Sequence, residues 1–300
     1  MSRPTLLAGG AWGVSTMPRM PGTIRTAAEA QALLQRAQRI ETPSGPGSLV
    51  WHRWGQGRPT LLLHGGSGSW NHWVRNIDSL VAAGRLVIAP DLPGFGDSAG
   101  PPELKDADGQ WPLLAQGLTQ WLGGAAVDAV GFSFGGLTAA LWAQAEPTRF
   151  ARLVLVGAPA LSDERLPPLP LRLWERAPPG PERDAIHRHN LRTLMLAQDE
   201  SVDELALALH AANLPRDRLR RRRLMLTDLL ARTLPTLDVP VAGIWGEHDV
   251  LYRNRHQVVR DVLATAPRFV GVQFVPGAGH WVQYERAEAF NQALQQALRA

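Results

Sequence analysis

Short, mostly apolar runs recur along this chain, at residues 49–54, 60–63, 86–89, 126–130, 153–156, 241–245 and 270–275. Each is the length of a strand and lacks the apolar–polar alternation of a strand with one wet face. Between them lie segments of helical composition, at 70–83, 110–122, 136–145, 256–263 and 286–298. Strands buried on both faces and separated by helices need right-handed crossovers, so the pattern predicts a parallel sheet with helices on either side.

The rhythm stops after Pro159. From 160 to 233 no strand-like run occurs; Pro167, Pro168, Pro170, Pro178, Pro179 and Pro181 give way to helical segments. An insertion of that length without structure of its own would be unusual, so helices are expected in it. At the start, residues 1–25 are rich in Gly, Pro and Thr and read as an arm, and 27–40 has helical spacing. The organisation expected is an N-terminal arm and helix (1–47), an α/β core (48–159 and 234–300) and a helical insertion (160–233).

The chemistry is concentrated at the ends of the apolar runs. Gly131-Phe-Ser-Phe-Gly-Gly136 follows one run and opens a helix. A serine on so tight a strand-to-helix turn has its hydroxyl pushed above the carboxyl edge of the sheet, and small residues two before and two after avoid clashes. The helix that follows aims its N-terminus at developing negative charge. Ser133 needs a base, and His280, in Gly-Ala-Gly-His-Trp after the last apolar run, lies at the same edge. The base needs a carboxylate to fix its tautomer, and Asp249 follows the preceding run, with Glu247 the nearest competitor. The chain order is Ser…Asp…His, the order expected for a fold of this kind. An oxyanion hole is expected from the backbone N–H of Phe134 and of Gly66, in His64-Gly-Gly-Ser-Gly68, with His64 bracing the loop.

These motifs, with Asp91-Leu-Pro-Gly-Phe-Gly-Asp-Ser98 and Gly279-His-Trp-Val-Gln-Tyr-Glu285, resemble the α/β-hydrolase superfamily from about residue 49 to the C-terminus. The resemblance implies an α/β-hydrolase fold: a mostly parallel central sheet flanked by helices, with a helical lid inserted after the sixth strand. The closing segment, with Trp281 next to His280, is similar to the meta-cleavage-product hydrolases, which split carbon–carbon bonds. Those enzymes more often carry a small polar residue and a methionine where this chain has Phe132 and Phe134. A carboxylic ester of a small apolar substrate is therefore the first expectation, cleaved through an acyl-enzyme. Carbon–carbon hydrolysis is the alternative, followed by cofactor-free perhydrolysis and by a non-catalytic binding scaffold. Ser67, Phe132, Trp174 and Trp281 are the expected pocket residues.

Other signals carry less. Gly94-Phe-Gly-Asp-Ser-Ala99 mimics a dinucleotide fingerprint, but Gly100, Pro101 and Pro102 forbid the helix a pyrophosphate would need. The six arginines between 216 and 223 read as a solvated helix face of the lid, with one of them able to turn inward onto a substrate carboxylate. His187 and His189 do not share a helix face, so no metal site is expected there. The net charge of +4 is spread along the chain apart from that run, and Lys105 is the only lysine. With no cysteine, thiol nucleophiles, thiolate metal sites and disulfides are excluded. No apolar run is long enough to span a bilayer. The expectation is a cytoplasmic protein with a small-molecule substrate, no cofactor, no metal, no nucleic-acid or membrane partner, and an oligomeric state left open to a homo-oligomer.

Overall fold

The computed structural model describes residues 23–164, 167–219 and 221–299. It contains one eight-stranded sheet in the order β1-β2-β4-β3-β5-β6-β7-β8. The strands are β1 (Gln38–Ser44), β2 (Gly47–Trp54), β3 (Arg58–Leu63), β4 (Arg85–Pro90), β5 (Val127–Phe132), β6 (Phe150–Val156), β7 (Val241–Gly246) and β8 (Phe269–Val275). β1, β2 and β4 pair antiparallel, and every other pairing is parallel. The central strands β5 and β7 are buried at every position, which is why their sequences show no alternation. Two apolar clusters cover the two faces, one around Leu137, Trp142 and Trp245, the other around Trp73, Val130 and Phe290.

The helices are α1 (Ala27–Gln35), α2 (Ile77–Ala82), α3 (Gln110–Leu122), α4 (Phe134–Ala145), α5 (Pro181–Asn190), α6 (Glu204–Asn213), α7 (Leu229–Thr233), α8 (His256–Leu263), α9 (Val282–Glu285) and α10 (Ala287–Ala297). Two expectations are corrected near the start. The helix read at 27–40 ends at Gln35, and Gln38–Ser44 is a strand that hairpins onto β2. Its turn is made possible by Gly45, at φ +56°. As an edge strand with few buried positions, β1 has no apolar run to betray it. The sheet therefore begins ten residues before the expected boundary at 48, and six strands precede the insertion. The helix read at 70–83 is a 3-10 turn (Trp70–Trp73) followed by α2. The turn is held where the Trp70 N–H donates to the buried Asp91 carboxylate. Most of the arm read at 1–25 lies outside the described residues.

The insertion carries α5, a π turn (Leu191–Met195), α6 and α7, joined by irregular backbone. Its arginine run is not a helix face. After a 3-10 turn (Leu214–Arg216) the described residues 217–219 and 221–223 are irregular and form a strap. Asp217 and Leu219 are buried, and the Arg218 N–H donates to Gly94 O at 2.9 Å, which fastens the strap to the loop after β4.

Candidate active site

β5 ends at Phe132, and Ser133 takes φ +49° before α4 begins. A serine in that left-handed region is strained and persists only because its surroundings leave no alternative. The Ser133 N–H donates to Val156 O at 2.8 Å. A Cβ on Gly131 would lie 2.6 Å from Gly135 O, and one on Gly135 would lie 2.4 Å from Leu63 O. Only glycines let the turn close this tightly.

β7 and β8 deliver the other two groups. His280 Nε2 lies 3.0 Å from Ser133 Oγ, and His280 Nδ1 lies 2.9 Å from Asp249 Oδ2. All three side chains are buried. Asp249 also accepts the Leu251 N–H, which fixes its carboxylate. Glu247, the competing carboxylate, faces away and accepts the Gly277 N–H. A hydrogen-bonded hydroxyl–imidazole–carboxylate chain at one sheet edge can activate the hydroxyl and stabilise the imidazolium formed as it loses its proton. A polar cavity of about 200 Å³, lined in part by Arg192, His248 and Arg253, opens beside His280.

The Phe134 N–H sits in the first turn of α4, where a helix leaves its donors without internal partners. Opposite it runs the Gly65–Gly68 loop. His64 braces that loop as expected: Nδ1–H donates to Gly65 O at 2.7 Å and Nε2 accepts the Leu92 N–H at 2.8 Å. Full burial pushes its pKa down to about 4, so it stays neutral.

The expected pocket residues are placed as follows. Phe132 packs its ring 5.0 Å from that of His280. Trp281 is buried, stacks on Tyr284 and donates its indole N–H to His72 O. Trp174 stands in the insertion, its ring 5.8 Å from His187. Ser67, at φ +51°, turns its hydroxyl away to donate to Asp217 Oδ2 at 2.5 Å.

Three contributors were not singled out from the sequence. Among the described arginines of the run, Arg222 turns inward. It donates to Asp217 Oδ2 and Leu219 O, both at 2.8 Å, and to Ser67 Oγ at 3.3 Å, and it lies over the rings of Phe95 and Phe134. A Cβ on Gly66 would sit 3.1–3.2 Å from its Cζ, Nε and Nη2, so that edge of the guanidinium faces the loop. Asp217, which tethers it, is the second. Glu285 is the third: it accepts N–H groups of Ala197, Gln198 and Gly279, tying the His280 loop to the insertion. Only the density of arginines hinted at the first, and no local pattern marks the other two.

The sequence profile of the alpha/beta hydrolase family matches residues 60–293. The chain belongs to the alpha/beta hydrolase family. Among curated alpha/beta hydrolase relatives, the 2-hydroxy-6-oxo-6-phenylhexa-2,4-dienoate hydrolase of Burkholderia cepacia is 29% identical over 263 residues, covering 79% of this chain and 86% of its own. A thermophilic esterase from Thermogutta terrifontis superposes with a TM-score of 0.68 at 25% identity, covering 88% of this chain and 98% of the esterase. A meta-cleavage product hydrolase from Pseudomonas fluorescens superposes with a TM-score of 0.69 at 23% identity, covering 87% and 97%, a likeness of fold alone. Among the described residues no helix of this alpha/beta hydrolase is long and apolar enough to cross a membrane.

Proposed function

We propose that the chain is a serine hydrolase acting on a small substrate that carries a carboxylate, and that the bond it cleaves joins a carbonyl carbon to carbon. Ser133 attacks the carbonyl while His280 takes its proton, and Asp249 holds the imidazole and balances its charge. The Phe134 and Gly66 amides receive the oxyanion. The leaving group departs with the proton held by His280, and water activated by the same histidine releases the acid from Ser133. Where carbon is the leaving group, its electron pair must be taken up by conjugation. The substrate must therefore be a keto acid, ketonised before attack.

The observation that carries this reading is Arg222. Its Nη1 is held by Asp217 and Leu219 O, while its Nε–Nη2 edge faces the oxyanion loop, where a guanidinium can receive a substrate carboxylate. The curated relative's name, a hydrolase of a hydroxy-oxo-dienoate, agrees with it. Hydrolysis of a carboxylic ester is the second reading, favoured by the esterase at 25% identity and by Phe132 and Phe134 on either side of Ser133.

The test compares a 2-hydroxy-6-oxo-dienoate with p-nitrophenyl esters, using the wild type, Ser133→Ala and Arg222→Met, with fluorophosphonate labelling alongside. Turnover of the dienoate, abolished in Ser133→Ala and lowered about a hundredfold in kcat/KM by Arg222→Met, is expected. Neutral esters should lose clearly less than the dienoate, since for them Arg222→Met only loosens the hold on Ser67. Turnover of esters alone would establish the second reading. Absence of labelling at Ser133 in folded protein would end both.

A further inference from the structure

Arg222 occupies one flank of Ser133, over Phe95 and Phe134. The other flank, beyond Phe132, is built from histidines. The ring of His72 lies 5.5 Å from that of Phe132 and 5.0 Å from that of Trp281. Its Nδ1 accepts the Gly65 N–H at 3.3 Å, which places the ring proton on Nε2. Facing it across the insertion is α6, whose Asn213 side chain exchanges hydrogen bonds with Asn71 and accepts the Ser69 hydroxyl. His210 stands one turn before Asn213, on the same side of that helix. Its Nε2 is buried and has no partner. Behind it His187 packs edge-to-face at 5.4 Å, with a buried, unpartnered Nδ1 of its own.

Phenylalanine would fill these positions without the desolvation that a buried, unpaired nitrogen costs. The His210 and His187 nitrogens have no protein partner and can take one from a ligand. Burial and mutual repulsion hold His72 well below the usual histidine range and His210 at about 4, so both rings are neutral at pH 7. Neutral imidazoles suit an uncharged oxygen better than an ion.

We propose that His72 and His210 form a specificity-determining subsite, on the flank of Ser133 opposite Arg222, that hydrogen-bonds an uncharged accepting oxygen of the substrate, such as a ketone, ether or hydroxyl. The subsite adds to the reading of Ser133 as nucleophile and rests on it only for its orientation to the reacting carbonyl. His72 supplies the Nε2–H, and His210 supplies the second ring nitrogen from the insertion.

Binding is measured in the full chain carrying Ser133→Ala, which leaves substrates intact, by titrating the histidine imidazole NMR signals. Two matched pairs serve as probes: p-nitrophenyl 5-oxohexanoate against p-nitrophenyl hexanoate, and 3-oxobutyl benzoate against butyl benzoate. They carry the added ketone on opposite sides of the ester. One ketone of the two is expected to bind about tenfold tighter than its plain partner, the size of one net hydrogen bond. It should also move the His72 and His210 signals. Adding His210→Phe should erase the preference without weakening the plain ester, and His210→Gln should keep part of it. No preference in either pair, or a preference that survives His210→Phe, overturns the proposal. Fluorophosphonate labelling of the otherwise unaltered protein judges the nucleophile separately. An unlabelled protein that still prefers the ketone would end the hydrolase reading and keep the subsite.

Discussion

At φ +49° Ser133 holds a conformation that a free serine avoids, and its hydroxyl is paired with His280 before any substrate arrives. The third member sets how well that pair works. Asp249→Asn leaves the shape intact but removes the charge that selects the tautomer and steadies the imidazolium. It is expected to lower kcat by about 10³–10⁴ with little change in KM. The buried histidines set a limit on acid stability. His64 and His210 are held at about 4, below an unfolded value near 6.5. Their folded pKa is depressed, so the stability present above pH 6.5 is lost as pH falls towards 4, where the unfolded chain binds protons that the folded one refuses. Each histidine contributes up to about 3 kcal/mol of that loss. Thermal unfolding of His210→Phe should therefore lose about 5 °C less than the wild type between pH 6.5 and 4.5. An equal loss in both proteins would rule out His210 as a contributor.

Among the elements, the β5–α4 turn has the least tolerance. Gly131→Ala would drive a Cβ to 2.6 Å from the backbone of Gly135 and Gly136, atoms that cannot give way without moving Ser133. Loss of about 3 kcal/mol or more and of most activity is expected. Gly124, after α3, has open space around its Cβ position and no positive φ. Gly124→Ala should leave activity unchanged and the melting temperature equal or slightly higher, because it restricts only the unfolded chain. Comparing the two variants in one melting series separates crowding from a general intolerance of alanine. Sequence legibility followed the same line. α3 and α8 run where their spacing put them, because each has one long apolar face. β1 was missed, because a half-exposed edge strand shows no apolar run.

Taken whole, the molecule closes its site from both sides of the insertion. Glu285, in α9, accepts three backbone N–H groups, two from the insertion and one from the loop that carries His280. The Trp281 N–H adds a fourth tie, to Met195 O at 2.7 Å. Glu285→Gln keeps the volume but turns a donor towards these donors. A melting temperature about 5 °C lower and a kcat about tenfold lower are expected, since the His280 loop loses its register. On the other side, Asp217 and Arg222 hold Ser67 and with it the oxyanion loop. The position of the insertion and the geometry of both loops are thus coupled.

The sequence by itself determined the parallel strands of the sheet, the order of their loops and the three residues at their ends. Burial on both faces and tight turns leave local marks: apolar runs, glycines at fixed offsets, a serine between them. The tertiary structure decided that Arg222 turns inward, that Ser67 donates to Asp217, and that Asn213 of the insertion pairs with Ser69 and Asn71. Those choices depend on how residues some 140 or more positions apart pack together. No local pattern records such contacts, because each partner taken alone is an ordinary polar residue on an irregular strap, a loop or a helix.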